Sequence, residues 1–259
     1  MLGFMPAKPL DMPSRKNAGT HTTAYCLLPI VMDKLHFKDD FETPNVRVVR
    51  HCIGSFGVNT YFLISKQTRE AAVIDPGGVA DTLLAALADE KAHVTRILFT
   101  HTHIDHIYAA DELKKALPEA KITYHIKDQP VIESLPDMCR MFGVPCRVMP
   151  SMDCDLEKEP EFSVGSLQIR SILTPGHTPG GVCYYIPEER LCFTGDTLFK
   201  GSVGRTDFEG GSGFELRQSL LRLLEVIPDD VQILPGHGKY TVMGKEKESN
   251  FYLKVDKWR

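Results

Sequence analysis

The chain has 259 residues, of which 42% are hydrophobic and 25% are charged, and its formal net charge at pH 7 is -4. A globular α/β domain of this size can bury its core without disulfides or a structural metal. The acidic balance argues against a general nucleic-acid binder, and no apolar stretch approaches the roughly 20 residues that a membrane span needs. We therefore expect a globular protein whose partners are neither nucleic acid nor membrane.

Residues 1–43 are interpreted as a flexible N-terminal extension, and residues 44–259 as one domain. The extension is rich in Met and Pro, has no sustained hydrophobic period and ends near the polar run KDD. Ordered structure is expected to begin near Asn45. The excess of basic residues over residues 1–20 leaves open an organelle-targeting leader, whereas a disordered tail and a cytoplasmic location are the favoured interpretation.

Seven cysteines are present, an odd number, and no two have the CxxC spacing of a redox or zinc motif. Cys139, Cys146 and Cys154 lie near one another in sequence, but their spacing fits no common zinc site. The simplest interpretation is a reducing compartment with free thiols.

Strand and helix patterns alternate along the first half of the domain. Apolar runs predict strands over residues 46–53, 59–64, 71–74 and 97–99. The turn signal DPGG ends the third strand. Apolar residues at helical spacing predict one helix near residues 79–87 and a second over 110–117, which Pro118 ends.

The second half repeats this scheme. Apolar runs predict strands over residues 162–173, 182–185, 191–193 and 231–234. A capping-box pattern from Ser212 to Glu215 opens a helix that continues to about residue 227. The two halves are interpreted as two βα layers packed face to face, with the helices outside.

Each strong His/Asp cluster follows one of these apolar strands. His101 follows the strand at 97–99, and His177, Asp196 and His237 follow the later ones. Loops at strand ends, held by a rigid sheet, are the usual place for ligands in α/β folds. We therefore expect four separate segments to converge on one site.

The first of these segments, HTHIDH at residues 101–106, has the composition of a metal site. His101 and His103 are two residues apart, so an extended backbone can direct both side chains to one side. Asp105 and His106 follow as the chain enters a helix. Imidazole and carboxylate are ligands suited to zinc, iron or manganese. A single HxH pair is a weak signal, whereas HxHxDH after an apolar strand is a strong one.

Four segments together resemble the metallo-β-lactamase fold hydrolases: HTHIDH (101–106), TPGHTPG (174–180), FTGDTLF (193–199) and PGHG (235–238). A fifth, GSVGRTD (201–207), is similar to the glyoxalase II (hydroxyacylglutathione hydrolase) branch. The resemblance implies an α/β fold, a four-layer αββα sandwich of two mixed sheets with helices outside. It also implies a thioesterase that cleaves S-acyl-glutathione or a similar small thioester by a hydroxide that bridges two metals.

The resemblance further implies a role for each ligand residue. One metal would be bound by three histidines, His101, His103 and His177. The second would be bound by Asp105, His106 and His237. Asp196 would bridge the two metals, and Asp105 would help orient the hydroxide, so these two aspartates are the implied catalytic residues. Asp75 matches an aspartate that orients a ligand from behind. The implied cofactors are two divalent ions, zinc first, with iron or manganese as alternatives.

Substrate recognition follows less directly from the resemblance. Glyoxalase II enzymes append a C-terminal helical domain that supplies much of the glutathione pocket, and only 22 residues follow His237. The chain therefore looks like the shorter, single-domain members of the branch, and we expect its pocket to come from loops. The cations near the ligands could receive a substrate carboxylate. These cations are Lys200, Arg205, Lys239 and Lys245.

Among the candidate substrate contacts, Arg205 has an alternative role. Its guanidinium could form a structural salt bridge with Asp207 or Asp75 instead of binding substrate. Lys239 and Tyr240, which closely follow the ligand His237, are the other candidates.

Other functions stay open at this point. Some members of the superfamily share HxHxDH and a segment like GRTDF (204–208), yet act as persulfide dioxygenases. These bind one iron through ligands equivalent to His101, His177 and Asp196, and retention of His237 favours the hydrolase. A lactonase or phosphodiesterase is a further alternative. A metal-binding protein without catalysis is the hypothesis from another class, and the complete ligand set argues against it.

Overall fold

The computed structural model describes residues 35–254, and most of its strands form two mixed sheets. The first sheet has seven strands, which neighbour one another in chain order: β1 (Leu35–Glu42), β2 (Val46–Ile53), β3 (Val58–Ser65), β4 (Glu70–Ile74), β5 (His93–Leu98), β6 (Lys121–Tyr124) and β7 (Cys154–Asp155). The strands from β1 to β4 pair antiparallel. From β4 to β7 the pairing is parallel.

The second sheet has six strands: β8 (Glu161–Val164), β9 (Leu167–Leu173), β10 (Val182–Ile186), β11 (Leu191–Gly195), β14 (Gln232–Pro235) and β15 (Thr241–Val242). They neighbour one another in the order β15-β14-β11-β10-β9-β8. The β11–β14 pair is parallel and the other pairs are antiparallel. A small separate hairpin is formed by β12 (Leu198–Phe199) and β13 (Ser202–Val203).

Among residues 35–254, seven α-helices lie between or after these strands: α1 (Ala80–Glu90), α2 (Ile104–Ile107), α3 (Ala110–Ala116), α4 (Gln129–Glu133), α5 (Leu135–Phe142), α6 (Gly213–Val226) and α7 (Met243–Ser249). Short 3-10 turns cover Ile126–Asp128, Pro187–Glu189 and Phe251–Leu253. The N-cap of α6 is as predicted, because Ser212 Oγ accepts a hydrogen bond from Glu215 N at 3.2 Å. Ser212 N donates instead to Gly176 O, which ties the start of α6 to the loop that carries His177.

Successive side chains of a strand point to opposite faces of the sheet, so the core is divided into layers. On β3, Phe62 and Ile64 pack in the cluster that contains α1 and α3, whereas Tyr61 and Leu63 face the second sheet. On the far side of that sheet, the apolar face of α6 covers a third cluster. Each large side chain that is fully buried in this way contributes about 1.5–3 kcal/mol. The predicted four-layer αββα sandwich is confirmed.

The N-terminal boundary of the ordered structure differs from the prediction. β1 pairs with β2 over its whole length, so order begins by Leu35 and not near Asn45. The earlier part of the predicted extension, Cys26 included, lies outside the described residues. The six described cysteines are free thiols, as expected. Between residues 35 and 254, no helix combines the length and apolar character needed to cross a membrane.

Candidate metal centre

Four loops that follow strand ends lie close together in the sandwich. β5 leads into His101 and β9 into His177, while Asp196 follows β11 directly and His237 lies two residues after β14. Because β11 and β14 are parallel neighbours, their carboxyl ends bring Asp196 and His237 to the same edge. The predicted convergence of four strand ends is confirmed.

The first group of side chains consists of His101, His103 and His177, all buried. Their ring centroids are 4.6–4.8 Å apart. His103 Nδ1 lies 3.0 Å from His177 Nε2. Two imidazole nitrogens at this distance must share a proton or a cation, because two lone pairs would otherwise face each other.

The second group consists of Asp105, His106 and His237. His106 and His237 face each other through their Nε2 atoms at 3.3 Å. Asp105 Oδ2 lies 3.3 Å from His237 Nε2 and 3.7 Å from His106 Nε2. The group therefore combines two nitrogens and one carboxylate oxygen within the reach of a single ion.

Asp196 lies between the two groups and contacts both. Its Oδ1 is 3.5 Å from His106 Nε2, and its Oδ2 is 3.6 Å from both His177 Nε2 and His237 Nε2. The seven side chains predicted from sequence are thus brought together, with one carboxylate placed to touch both halves.

The unsatisfied polar atoms of this centre suit divalent cations. Among the described residues, His101 Nε2 and Asp196 Oδ1 are buried without a hydrogen-bond partner. Leaving such atoms unpaired costs about 1–3 kcal/mol each. The seven side chains offer nitrogen and oxygen donors and no thiolate, a combination that zinc, iron and manganese accept. The residues present therefore fit the implied cofactors.

The histidines of the two groups differ in proton affinity. Burial, reinforced by neighbouring histidines, holds the pKa of His101 well below its usual value and lowers that of His103 to about 3. Burial opposes protonation at His106 as well, but the nearby carboxylates outweigh it and raise the pKa to about 10. Asp196 and Asp105 likewise outweigh burial and raise the pKa of His237. The second group is therefore the side of the centre that attracts positive charge more strongly.

Asp75 lies directly after β4, behind His106 as seen from the centre. Its backbone has a φ of 51°, and its Oδ2 lies 3.0 Å from His106 Nδ1. Its Oδ1 accepts a hydrogen bond from Thr100 N at 2.7 Å, and its Oδ2 accepts one from Thr100 Oγ1 at 2.7 Å. His106 Nε2 lies on the edge of the ring that faces the centre, and a supporting role for Asp75 stays a prediction.

Comparison with known families agrees with this geometry. Residues 53–237 match the family model described as the metallo-beta-lactamase superfamily. The chain belongs to the metallo-β-lactamase superfamily. The matched span runs from the end of β2 to His237 and contains all seven side chains of the centre.

Individual relatives within the superfamily cover most of the domain. The chain is 36% identical over 192 residues to the hydroxyacylglutathione hydrolase GloC of Haemophilus influenzae. This alignment covers 74% of this chain and 91% of the relative. The crystal structure of the BLEG-1 B3 metallo-beta-lactamase matches with a TM-score of 0.74 and 32% identity, covering 80% of this chain and 99% of that one. The crystal structure of TTHA1623 in a di-iron-bound form matches with a TM-score of 0.70 and 34% identity. The match covers 77% of this chain and 97% of that one. The chain is thus a member of a metallo-hydrolase superfamily.

One residue that joins two ligand loops of the metallo-β-lactamase fold was missed by the sequence analysis. Asp128 is buried, and its carboxylate accepts hydrogen bonds from Thr102 N at 2.8 Å and Gly180 N at 2.6 Å. It thereby fastens the HTHIDH loop to the loop that carries His177. Asp128 lies in a short 3-10 turn after β6, a four-residue strand that the sequence pattern does not predict, so no signal in its own segment indicated this role.

Arg205 lies beside the first histidine group through its backbone. Its carbonyl oxygen accepts a hydrogen bond from His177 Nδ1 at 2.7 Å, which leaves Nε2 for the centre. The guanidinium pairs with Asp207 through bonds of 2.5 and 2.6 Å and lies 4.2 Å from the centroid of the Phe208 ring. Of the two predicted salt-bridge partners, Asp207 is confirmed and Asp75 is wrong, because Asp75 contacts Thr100 and a histidine instead. A role in substrate binding stays a prediction.

Lys239 and Tyr240 follow His237, a residue of the second group. They line a cavity together with Lys200. Tyr240 Oη donates to Asp39 Oδ1 at 3.1 Å, and the Arg50 guanidinium lies 4.0 Å from the centroid of its ring. The structure therefore separates the candidate substrate residues into two sets. Arg205 lies beside His177 of the first group and does not line this cavity.

Proposed function

We propose that the chain is a thioesterase of the glyoxalase II type, which hydrolyses S-acyl-glutathione or a similar small thioester. The observation that carries the proposal is the convergence of seven His and Asp side chains, with Asp196 3.5–3.6 Å from histidines of both groups. The similarity to the hydroxyacylglutathione hydrolase of Haemophilus influenzae supports the substrate class.

The proposed ligand sets follow the two groups. One divalent ion would be held by His101, His103 and His177, and the second by Asp105, His106 and His237. Asp196 would contact both. Zinc is the proposed metal, and iron and manganese are compatible with the same nitrogen and oxygen donors.

Two cations at these positions would acidify a bound water and polarise the thioester carbonyl. The side chains of the centre supply orientation. Asp196 contacts both groups and Asp105 Oδ2 lies 3.3 Å from His237 Nε2, so either carboxylate can accept a hydrogen bond from the attacking water. The water oxygen adds to the acyl carbon, the C–S bond breaks, and the products are a carboxylic acid and a thiol. Because a thiol has a pKa of about 8.5, its thiolate leaves without a dedicated general acid.

An aromatic wall borders the first group on the side of Arg205. The ring of Phe208 lies 5.3 Å from that of His103, and Phe142 lies 6.5 Å from Phe208. Phe56 packs 5.2 Å from Phe142 and extends the wall. Such a surface would keep bulk water away from the acyl carbon, which strengthens the electrostatic interactions at the centre.

The decisive experiment is elemental analysis of the purified protein, paired with a panel of acyl thioesters. We expect two metal ions per chain and hydrolysis of S-acyl-glutathione. One iron per chain, with oxygen consumption on glutathione persulfide and no thioester hydrolysis, would replace the proposal by the dioxygenase. Hydrolysis of a lactone or phosphodiester alone would replace it by that class.

A matched pair of variants tests the ligand assignment. Asp196→Asn should lose metal and lower kcat/KM by more than the about 10–100-fold that follows loss of a residue outside the ligand set. Asp230→Asn, an exposed aspartate paired with Arg190, should leave both quantities unchanged. Full activity of Asp196→Asn would overturn the assignment.

A further inference from the structure

A buried carboxylate lies on helix α7, outside the metal centre. Glu246 is 2% exposed, and its Oε1 accepts a hydrogen bond from Thr241 Oγ1 at 2.6 Å. Its Oε2 accepts hydrogen bonds from Gly201 N at 2.7 Å and from Asn250 Nδ2 at 2.8 Å. These three neutral donors satisfy both oxygens of a carboxylate that burial removes from water. The side chain therefore joins α7 to the turn of the β12–β13 hairpin.

Asn250, which directly follows α7, holds the same hairpin through its amide. Its Nδ2 donates to Ser202 O at 3.1 Å and, at the longer distance of 3.4 Å, to Phe199 O. Phe199 on β12 and Ser202 on β13 are paired partners, so the amide lies against both strands. Its Oδ1 accepts a hydrogen bond from Tyr252 N at 3.0 Å, which fixes the amide from the other end. Glu246 and Asn250 together thus contact the turn of the hairpin and both of its strands.

The hairpin leads directly into the backbone that contacts His177. Gly204 follows β13, and a Cβ added there would overlap Asp196 O and lie 3.2 Å from His177 Nδ1. The next residue is Arg205, whose carbonyl oxygen accepts the hydrogen bond from His177 Nδ1 at 2.7 Å. Because a carbonyl oxygen can only accept, this bond requires the proton on Nδ1, and in the neutral ring the lone pair is then on Nε2. The position of the hairpin therefore bears on the ligand atom of His177.

The loop that carries His237 has supports that are independent of α7. Thr241 lies four residues after His237 and contacts Glu246. Asn59 on β3 holds the same loop from the first sheet, because its backbone N donates to the residue before His237, at 2.7 Å from Gly236 O. Its Nδ2 donates to the residue after His237, at 3.0 Å from the carbonyl oxygen. We therefore expect α7 to matter most for the first group of the centre.

We propose that Glu246 and Asn250 are positioning residues of the metal centre, which act through the β12–β13 hairpin on His177. With the hairpin fixed, the carbonyl of Arg205 remains within hydrogen-bond distance of His177 Nδ1 and holds the ring with Nε2 towards the first metal. The inference rests on the ligand role proposed for His177 and is independent of the substrate. It gives α7, which contributes no ligand, a part in metal binding.

Metal affinity, measured by competition of the metal-free protein with a coloured chelator, tests this role. Asn250→Ser keeps an oxygen that can accept from Tyr252 N, but it loses the amide that reaches the hairpin. We expect this variant and Glu246→Ala to bind one of the two ions about 10–100-fold less tightly, as loss of a supporting partner does. Glu246→Gln keeps an oxygen for Gly201 N and should recover part of the affinity. Glu248→Ala, which removes an exposed acid from the same helix, is the control.

A magnetic resonance measurement reports on His177 itself. In zinc-loaded protein with isotope-labelled histidine, the Nδ1–H group of His177 should give a resonance that is absent from the His177→Ala variant. We expect its proton to exchange with solvent at least about tenfold faster in Asn250→Ser than in the wild type, because the bond to the Arg205 carbonyl opens more often. Glu248→Ala should exchange as the wild type does. A role of α7 in overall stability alone would leave this local exchange unchanged.

Two results would overturn the proposal. One is wild-type metal affinity in Asn250→Ser and Glu246→Ala that are folded by circular dichroism. The other is a loss of affinity with unchanged exchange at His177, since the effect would then not pass through this residue. If Glu246→Ala does not fold, Asn250→Ser and Glu246→Gln carry the same test. Wild-type metal affinity in His177→Ala would instead refute the ligand assignment on which the inference rests.

Discussion

Asp75 Oδ2 lies 3.0 Å from His106 Nδ1, on the side of the imidazole ring opposite to the Nε2 atom that faces the centre. The contact places a carboxylate against the Nδ1 edge of the ring, and the Nε2 atom is on the edge that faces the centre. Asp75 thus contacts a side chain of the centre although it is not one of the seven itself.

Removal of this carboxylate should weaken metal binding without removing a ligand. Asp75→Ala is expected to lower metal affinity about 10–100-fold, measured by competition with a coloured chelator. Asp81→Ala, an exposed aspartate on α1, is the control and should bind metal as the wild type does. Unchanged affinity in Asp75→Ala would show that His106 holds its orientation without Asp75.

A methyl group at Gly236 would clash with two side chains of the centre. A Cβ there would lie 2.3 Å from Asp196 Oδ1 and 2.7 Å from His106 Cε1. Gly236→Ala should therefore reduce the metal content below two ions per chain while circular dichroism shows a folded protein. Gly213→Ala, where the nearest atom is 3.6 Å away, should keep the full content. Two tightly bound ions in Gly236→Ala would contradict the crowding argument.

Loss of Asp128 should affect stability and the centre together. Asp128→Ala leaves the buried amides of Thr102 and Gly180 without their acceptor, which we expect to cost about 2–4 kcal/mol of unfolding free energy. Urea denaturation of the metal-free protein measures this loss directly. Asp128→Asn keeps an acceptor oxygen and should lose less. If Asp128→Ala unfolds at the wild-type urea concentration, the carboxylate does not fasten the two loops.

His51 should make the protein sensitive to mild acid. It is 2% exposed and packs 4.8 Å from the Phe62 ring, and burial, reinforced by Lys38 opposite on β1, lowers its pKa to about 4. The unfolded chain, with a usual histidine pKa of about 6.5, binds the proton more tightly than the folded one. The contribution of neutral His51 to the unfolding free energy is therefore fully present above pH 6.5. It is lost as the pH falls towards 4, by at most about 3 kcal/mol.

The variant His51→Gln isolates this contribution. Between pH 7 and pH 4 its unfolding free energy should fall less than that of the wild type, and the difference between the two slopes is the quantity to compare. Parallel pH profiles for both proteins would show that His51 takes up its proton equally well in the folded and unfolded states.

The ligands of the centre could be predicted because each follows an apolar strand, and the periodicity of β5, β9, β11 and β14 is readable locally. β6, with the four residues KITY, is too short for its period to stand out, and β1 has charged residues that make it resemble a tail. Asp128 was missed because its partners, Thr102 and Gly180, are 26 and 52 residues away. The cavity beside His237 needs Asp39 and Tyr240 to meet across 201 residues, which only the folded sheet order shows.

β1 connects the edge of the first sheet to the loop that follows His237, through Asp39 and Arg50. A shortened protein that begins at Asn45 would retain every histidine and aspartate of the centre, yet it would lose Asp39 and leave the buried Arg50 guanidinium without its carboxylate partner. Because the same guanidinium donates to the carbonyl oxygen of Gly238, the residue after His237, the loss would reach a ligand loop of the centre. The first strand of the sheet therefore bears on the order of the metal centre, although it contributes no ligand to it.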